Sequence, residues 1–155
     1  MKLDRAILIE LCKTYGPIVK VPEGVDGVKL LWALAGNESS FGANLAPRHE
    51  PGYCRGGKYY NVLQTGAWGC LAHCSFGPWQ VMFPNFPVGT SPLLVMEEPR
   101  VAASVTVDFL NRIVFGVHKA ATLEQIGQCY NGGHIGADVP DYVLKLKANY
   151  LVPTV

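Results

Sequence analysis

Residues 28–40 read VKLLWALAGNESS, and they form the most informative stretch of the chain. The segment is apolar on most sides, which is typical of a central, buried helix. Asp26 precedes it and is a good N-cap, and the helix is expected to end near residues 37–40. Glu38 is therefore predicted at the carboxyl end of a buried helix. Burial and the negative end of the helix dipole both disfavour a charged carboxylate there, so both raise its pKa.

Further helices are predicted on both sides of this one, from an N-cap aspartate, a first-turn proline and a Thr-x-x-Gln capping box. They cover residues 4–15, 99–115, 122–130 and 138–150. Between residues 41 and 76 Gly, Pro, Tyr, Asn and Cys accumulate and helical periodicity disappears, which indicates a long irregular or β-containing lobe. The prediction is an α+β, mainly helical single domain over residues 1–155, with a loop-rich lobe inserted after the second helix.

The charge pattern argues against two classes of partner. The net charge is +1, and Lys and Arg are scattered singly, so we expect no nucleic-acid partner. No apolar run approaches the roughly 18 residues of a membrane span, so we expect no membrane insertion. Charges interrupt the apolar residues of the first 16 positions, which favours an amphipathic helix over a signal peptide. The chain is therefore expected to be made in the cytoplasm without a signal peptide.

Glu38 is the first candidate for chemistry. Cleavage of a glycosidic bond needs a carboxylic acid that is still protonated near neutral pH and can donate to the leaving oxygen. A carboxyl at the end of an apolar helix suits that task because its environment disfavours the charged form. Taken alone, the position also fits a solvated glutamate at a helix end, which is common.

Four sequence blocks sharpen this hypothesis. They are ALAGNESSFGANLAPRHEPGY (33–53), CSFGPWQVMFPNF (74–86), QCYNGG (128–133) and DYVLKLKANY (141–150). In this order they resemble the lytic transglycosylases with a lysozyme-like fold, particularly the compact phage and bacterial forms. That family combines a helix-ending Glu-Ser, an Ala-x-Arg-x-Glu-Pro segment, a Ser-x-Gly-x-x-Gln block and an Ala-Tyr-Asn-x-Gly block. The resemblance covers roughly residues 30–150.

The family's Glu-Ser pair and its Ser-x-Gly-x-x-Gln block both have direct counterparts in this chain. The resemblance places the catalytic acid/base on Glu38 and its adjacent serine on Ser39. The Ser-x-Gly-x-x-Gln block falls on Ser75, Gly77 and Gln80, which in the family line the cleft and contact sugar.

The remaining blocks supply four more candidates. Arg48 and Glu50 match the Ala-x-Arg-x-Glu-Pro segment. The Tyr-Asn block falls on Tyr130 and Asn131, and the family's tyrosine there hydrogen-bonds the catalytic carboxyl.

The chain departs from the family at three positions, where it has Pro78, Trp79 and Cys129. Pro78 has no backbone N–H to offer an N-acetyl group. Trp79 either stacks on a sugar or fills the core. These departures concern the details of substrate recognition more than the reaction.

The reaction that the resemblance implies is cleavage of the bond between N-acetylmuramic acid and N-acetylglucosamine in peptidoglycan, with a 1,6-anhydro product. It needs no cofactor and is expected of a monomer, delivered by a phage or released to the cell wall by a holin. A hydrolysing muramidase, in which Glu50 is a second carboxylate, is one alternative. Glu50 can also have a purely structural role, as the partner of Arg48 or Arg55 in an ion pair. A non-catalytic glycan-binding or tail-structural protein is the other alternative.

The residues of the lobe leave two further questions open. Tyr53, Tyr59, Tyr60 and Trp68 either form sugar subsite walls or pack within the lobe. The group of His49, Cys54, Cys70, His73 and Cys74 permits a structural zinc site, a disulfide from Cys54 to Cys70 or Cys74, or free thiols. The Cys-x3-Cys spacing is acceptable for zinc, but the group lacks a clean paired zinc motif, so free thiols are favoured and no metal is predicted. Cys12 and Cys129 are expected to be small buried thiols.

Overall fold

The computed structural model describes residues 1–154, so Val155, the last residue of the predicted domain, lies outside it. The chain is mainly helical with one small antiparallel sheet, which confirms the α+β prediction. The helices are α1 (Arg5–Tyr15), α2 (Gly27–Ser39), α3 (Val62–Trp68), α4 (Pro92–Glu97), α5 (Pro99–Phe109), α6 (Leu123–Gly132) and α7 (Pro140–Tyr150), and the strands are β1 (Arg48–His49), β2 (Cys74–Phe76) and β3 (Val81–Met82).

Helix α2 is the central element, as predicted. A carboxylate oxygen of Asp26 accepts from the backbone N–H of Lys29 at 3.0 Å and caps the first turn. Helices α1 and α7 pack against it, and residues 30–36 are buried. At its end, Ser40 adopts a left-handed conformation (φ 52°), which turns the chain out of the helix into the lobe.

Other helix boundaries agree in part with the sequence predictions. Asp4 caps α1, and Thr122 caps α6, which ends at Gly133 in a left-handed conformation. Helix α5 ends at Phe109 and continues as a π-helix over Leu110–Val117, so the regular helix is shorter than predicted. Helix α7 starts at Pro140, two residues later than predicted.

Two short helices were not predicted. In α3, the side-chain oxygen of Asn61 accepts from the backbone N–H groups of Leu63 and Gln64. In α4, Ser91 caps the first turn. No residue of helix α3 is buried. The segment therefore lacks the periodic apolar face by which a helix is predicted from sequence.

The sheet has the order β1-β2-β3, and it forms part of the 41–76 lobe and the segment that follows. Arg48 pairs with Ser75 and His49 pairs with Cys74 across the first two strands. The turn from β2 to β3 contains Gly77 and Gln80, both with positive φ (76° and 47°). This turn directs Gln80 back toward β2.

One large apolar cluster joins the helices to the sheet. Trp79 belongs to it: the side chain is fully buried, and its indole N–H donates to the carbonyl of Leu31 at 2.8 Å. Trp79 therefore fills the core and does not stack on a sugar. Within residues 1–154, no helix is long and apolar enough to cross a membrane.

Candidate active site

Glu38 lies in the last turn of α2, and only 4% of its side chain is exposed. Two donors bind its carboxyl group from different directions. The hydroxyl of Tyr142, on α7, donates to Oε1 at 2.6 Å. The guanidinium of Arg48, on β1, donates to Oε2 at 2.8 Å. The carboxyl group is therefore buried, and the two hydrogen bonds hold it in one orientation.

The environment of Glu38 raises its pKa above the usual value near 4.5. Burial is the largest cause, because it removes water from the charged form. The hydrogen bonds from Tyr142 and Arg48 and the charge of Arg48 act in the opposite direction, while the negative charge of Glu50 adds to the increase. The net direction is upward, which is the direction that a general acid needs.

Arg48 links Glu38 to a second carboxylate. Its Nε lies 3.0 Å from Oε1 of Glu50, while its Nη2 binds Glu38. The side chain of Glu50 is 33% exposed and that of Arg48 is 50% exposed, so both are far more exposed than Glu38. The ion pair that the sequence offered as a structural interpretation of Glu50 is observed with Arg48.

These groups open onto a cleft of about 390 Å³. Residues from β1, the β2–β3 turn and α6 meet there, although Arg48 and Gly132 lie 84 positions apart in the chain. Six of the nine predicted site residues line this cleft: Glu38, Arg48, Glu50, Gln80, Tyr130 and Asn131. Met82, Asn85, Phe109 and Ile113 contribute further surface and were not predicted.

Gln80 is held in place by its own turn. Its amide nitrogen donates to the carbonyl of Gly77 at 3.0 Å, and its amide oxygen accepts from the hydroxyl of Ser75 at 2.8 Å. The side chain is 6% exposed and faces the cleft with little freedom to rotate. Gln80 thus offers a fixed amide group at the cleft wall.

Ser75 and Gly77 do not line the cleft, which corrects the role that the resemblance implied for them. Ser75 is 1% exposed, so it cannot contact a sugar. Gly77 is buried, and a Cβ on it would lie 3.0 Å from the side chain of Ala102. Both residues position Gln80 instead.

Ser39 also has a supporting role without access to the cleft. It is buried, its hydroxyl donates to the carbonyl of Ala35 at 3.0 Å, and its oxygen accepts from the N–H of Gly42 at 2.9 Å. These bonds stabilise the end of α2 and the turn that follows it.

The tyrosine predicted to hold the catalytic carboxyl is the wrong one. The hydroxyl of Tyr130 donates to the backbone carbonyl of Trp79 at 2.6 Å, so its hydrogen is not available to Glu38. Tyr142 makes that bond instead. Tyr142 was not predicted because nothing in the 141–150 sequence block distinguishes its hydroxyl from that of other tyrosines. Its position beside Glu38 results from the packing of α7 on α2.

Two of the four lobe aromatics reach the cleft. Tyr53 and Tyr59 line it, with ring centroids 5.1 Å apart. Tyr60 lies beside His73, and Trp68 packs edge-on against Phe83 away from the cleft. Tyr53 and Tyr59 are therefore the two lobe aromatics placed to contact a sugar.

A second concavity, of about 420 Å³, lies between α6 and α7. Its two acidic groups, Glu124 and Asp138, are exposed, and Glu124 pairs with Lys147 at 3.3 Å. Neither carboxyl group is buried in the way that Glu38 is. Although this concavity is slightly larger, the chemistry favours the cleft at Glu38.

Two histidines and one cysteine of the lobe, His49, His73 and Cys54, come together away from the cleft. All five cysteines, each within the described residues, carry free thiols, including Cys54 and Cys74. The ligand atoms of His49, Cys54 and His73 lie within 4.8 Å of one another, an arrangement that suits a metal ion. No metal was predicted at these residues.

Comparison of the chain with known proteins found no matching family model, no matching curated protein and no matching solved structure.

Proposed function

We propose that the chain is a peptidoglycan lytic transglycosylase with a lysozyme-like fold, in which Glu38 is the general acid and base. The observation that carries the proposal is the Glu38 carboxyl, 4% exposed, beside a cleft and with a raised pKa. A protonated carboxyl in such a position can donate to a glycosidic oxygen at the wall of the cleft.

The proposed reaction begins with proton transfer from Glu38 to the oxygen that links N-acetylmuramic acid to N-acetylglucosamine. The bond from C1 of the muramoyl unit to that oxygen breaks, and the substrate's own N-acetyl oxygen supports the oxocarbenium-like centre. The muramoyl O6 then attacks C1, and its proton returns to Glu38. Water is not consumed, and the product is a 1,6-anhydro sugar.

Arg48 has a defined part in this scheme. It opposes protonation of Glu38 before the reaction, yet burial outweighs it. After proton donation, its guanidinium stabilises the carboxylate that remains, 2.8 Å away. Arg48 is therefore suited to support the change of Glu38 from acid to base.

The cleft walls support glycan binding in the same scheme. Tyr53 and Tyr59 present aromatic faces to the C–H surfaces of a sugar, and Asn131 presents an exposed amide group to its polar substituents. Gln80, whose amide is bonded within the protein, forms a fixed part of the cleft wall. The substrate is proposed to be a peptidoglycan strand, bound by a monomer without a cofactor. Delivery to the cell wall by a phage or through a holin is part of the same proposal.

A hydrolysing muramidase is the second candidate, and Glu50 favours it. Its carboxylate is 33% exposed on the same cleft and is connected to Glu38 through Arg48. A carboxylate in this position can activate a water molecule at the sugar.

Mass spectrometry of digested peptidoglycan separates the two reactions. Purified wild-type protein is expected to release 1,6-anhydro muropeptides, whose mass is one water lower than that of reducing-end products. Glu50→Gln is expected to retain this product. Release of reducing-end products that depends on Glu50 would replace the lyase proposal with hydrolysis, and binding without released fragments would replace both with a glycan-binding role.

A further inference from the structure

We propose that His49, Cys54 and His73 bind a zinc ion that holds the 41–76 lobe in shape. The three residues come from three parts of the lobe: β1, the turn after it and the 3₁₀ turn before β2. The inference does not depend on the proposed function, because zinc binding is measured without any enzymatic assay.

The distances suit a tetrahedral zinc site. The three ligand atoms lie within 4.8 Å of one another, and Sγ of Cys54 is 3.1 Å from Nε2 of His49. Bond lengths of about 2.0–2.3 Å place neighbouring ligand atoms of a tetrahedral zinc roughly 3.3–3.6 Å apart. Side-chain adjustments of an ångström or so therefore bring all three atoms into coordination.

The hydrogen bonds of His73 leave one ring nitrogen free for a metal. The hydroxyl hydrogen of Thr65 is donated to the carbonyl of Asn61 at 2.9 Å. Nε2 of His73, 2.9 Å from the same hydroxyl oxygen, must therefore carry the hydrogen of that contact. Nδ1 is then the nitrogen with a lone pair. A ligand histidine whose other N–H is held by a second group is the usual arrangement in zinc sites.

The sheet places a further thiol, that of Cys74, near the cluster but outside it, where it donates to the carbonyl of Cys70 at 3.3 Å. Cys74 lies directly opposite His49 in the pairing of β1 with β2. The N–H of Glu50 donates to the carbonyl of His73 at 2.8 Å, so His49 and Cys74 are a non-hydrogen-bonded pair with side chains on one face. Zinc ligation requires thiolate, so binding releases the Cys54 thiol proton to solvent.

The site also explains how β1, a strand of two residues, keeps its place. Side chains alternate along a strand, so Arg48 and Glu50 point toward the cleft while His49 points to the opposite face. A zinc ion on that face connects His49 to Cys54 and His73. We therefore infer a structural ion that keeps the cleft wall in position and takes no part in the reaction.

The test is the zinc content of the purified chain, produced in zinc-supplemented medium without a polyhistidine tag and measured by elemental mass spectrometry. The wild type is expected to hold about one zinc per chain. Cys54→Ala and His73→Ala are expected to lose about tenfold or more of it. The matched controls Cys12→Ala and His134→Ala remove a thiol and an imidazole elsewhere and are expected to retain it. Zinc-free wild type, or equal zinc in all variants, overturns the proposal.

A second measurement covers variants that fail to fold. Wild-type protein is stripped with a chelator and titrated with Co²⁺, which reports a thiolate ligand through its charge-transfer absorption. The proposal expects this absorption at one equivalent and its displacement by Zn²⁺. A titration without it overturns the proposal, as does a peptide map in which Cys54 is linked by a disulfide to Cys70 or Cys74.

Discussion

The hydroxyl of Tyr142 donates a 2.6 Å hydrogen bond to the carboxyl of Glu38, across 104 positions of the sequence. The bond joins the first turn of α7 to the last turn of α2. It orients the carboxyl toward the cleft, and it favours the charged form. The acid strength of Glu38 is therefore set by burial on one side and by Tyr142 and Arg48 on the other.

Tyr142→Phe is expected to raise the pKa of Glu38 further, because it removes a donor to the carboxylate while burial remains. Activity that requires protonated Glu38 falls as the pH rises through that pKa. The high-pH side of the activity profile is thus expected to move to higher pH, and the maximal rate to fall up to about tenfold as the carboxyl loses its orientation. The measurement is the rate of peptidoglycan solubilisation against pH.

Tyr130→Phe is the matched control for that profile. It removes a hydroxyl that donates to the carbonyl of Trp79, so the high-pH side is expected to stay where it is. A shift with Tyr130→Phe and none with Tyr142→Phe would contradict the assignment.

Glu38→Gln is expected to change how stability depends on pH. Because the folded-state pKa of Glu38 is raised, its protonation stabilises the fold fully below about 4.5, and this contribution is lost as the pH rises through the folded value. Glutamine does not titrate. The Tm of the variant minus that of the wild type is therefore expected to increase with pH from about 4.5 upward and then level off.

The slope of this difference is the test, since any clash between the new amide and Arg48 is independent of pH. Glu23→Gln, at an exposed position, is the control. If the Tm difference for Glu38→Gln stays constant or decreases as the pH rises above about 4.5, burial does not destabilise the charged form of Glu38.

Gly77→Ala is expected to destabilise the fold more than Gly56→Ala. Both glycines have positive φ (76° and 86°), which costs an alanine about 1–2 kcal/mol. Only at Gly77 does the added Cβ meet a neighbour, Ala102, at 3.0 Å. We expect about 1 kcal/mol of additional loss at Gly77, measured by urea unfolding. Equal losses at the two positions would mean that the β2–β3 turn is less tightly packed than described.

Local signals in the sequence predicted the helices that have caps and an apolar face. Asp4, Asp26 and Thr122 cap their helices as expected. Helix α3 was not predicted because it has no buried apolar face. The π-helix after Phe109 was not predicted because its sequence keeps the apolar spacing of an ordinary helix. The irregular lobe was correctly located, but not its internal order.

The candidate site was predictable only where the chemistry lies within one block. Glu38 at the end of α2 follows from the apolar residues before it, and the pair Arg48 and Glu50 follows from the Ala-x-Arg-x-Glu-Pro segment. The partner of Glu38 on α7 depends on helix packing over a long sequence separation, which no local pattern contains. For the same reason, the sequence alone could not show that Ser75 and Gly77 lie behind Gln80.

Fragment release from purified peptidoglycan by Glu38→Gln, compared with wild type and Glu23→Gln, tests the central claim most directly. Circular dichroism first establishes that all three proteins are folded. The account predicts that Glu38→Gln is slower by about 10²–10⁴-fold, the usual contribution of a general acid, while Glu23→Gln matches the wild type. A folded Glu38→Gln protein that releases fragments at the wild-type rate would contradict the account.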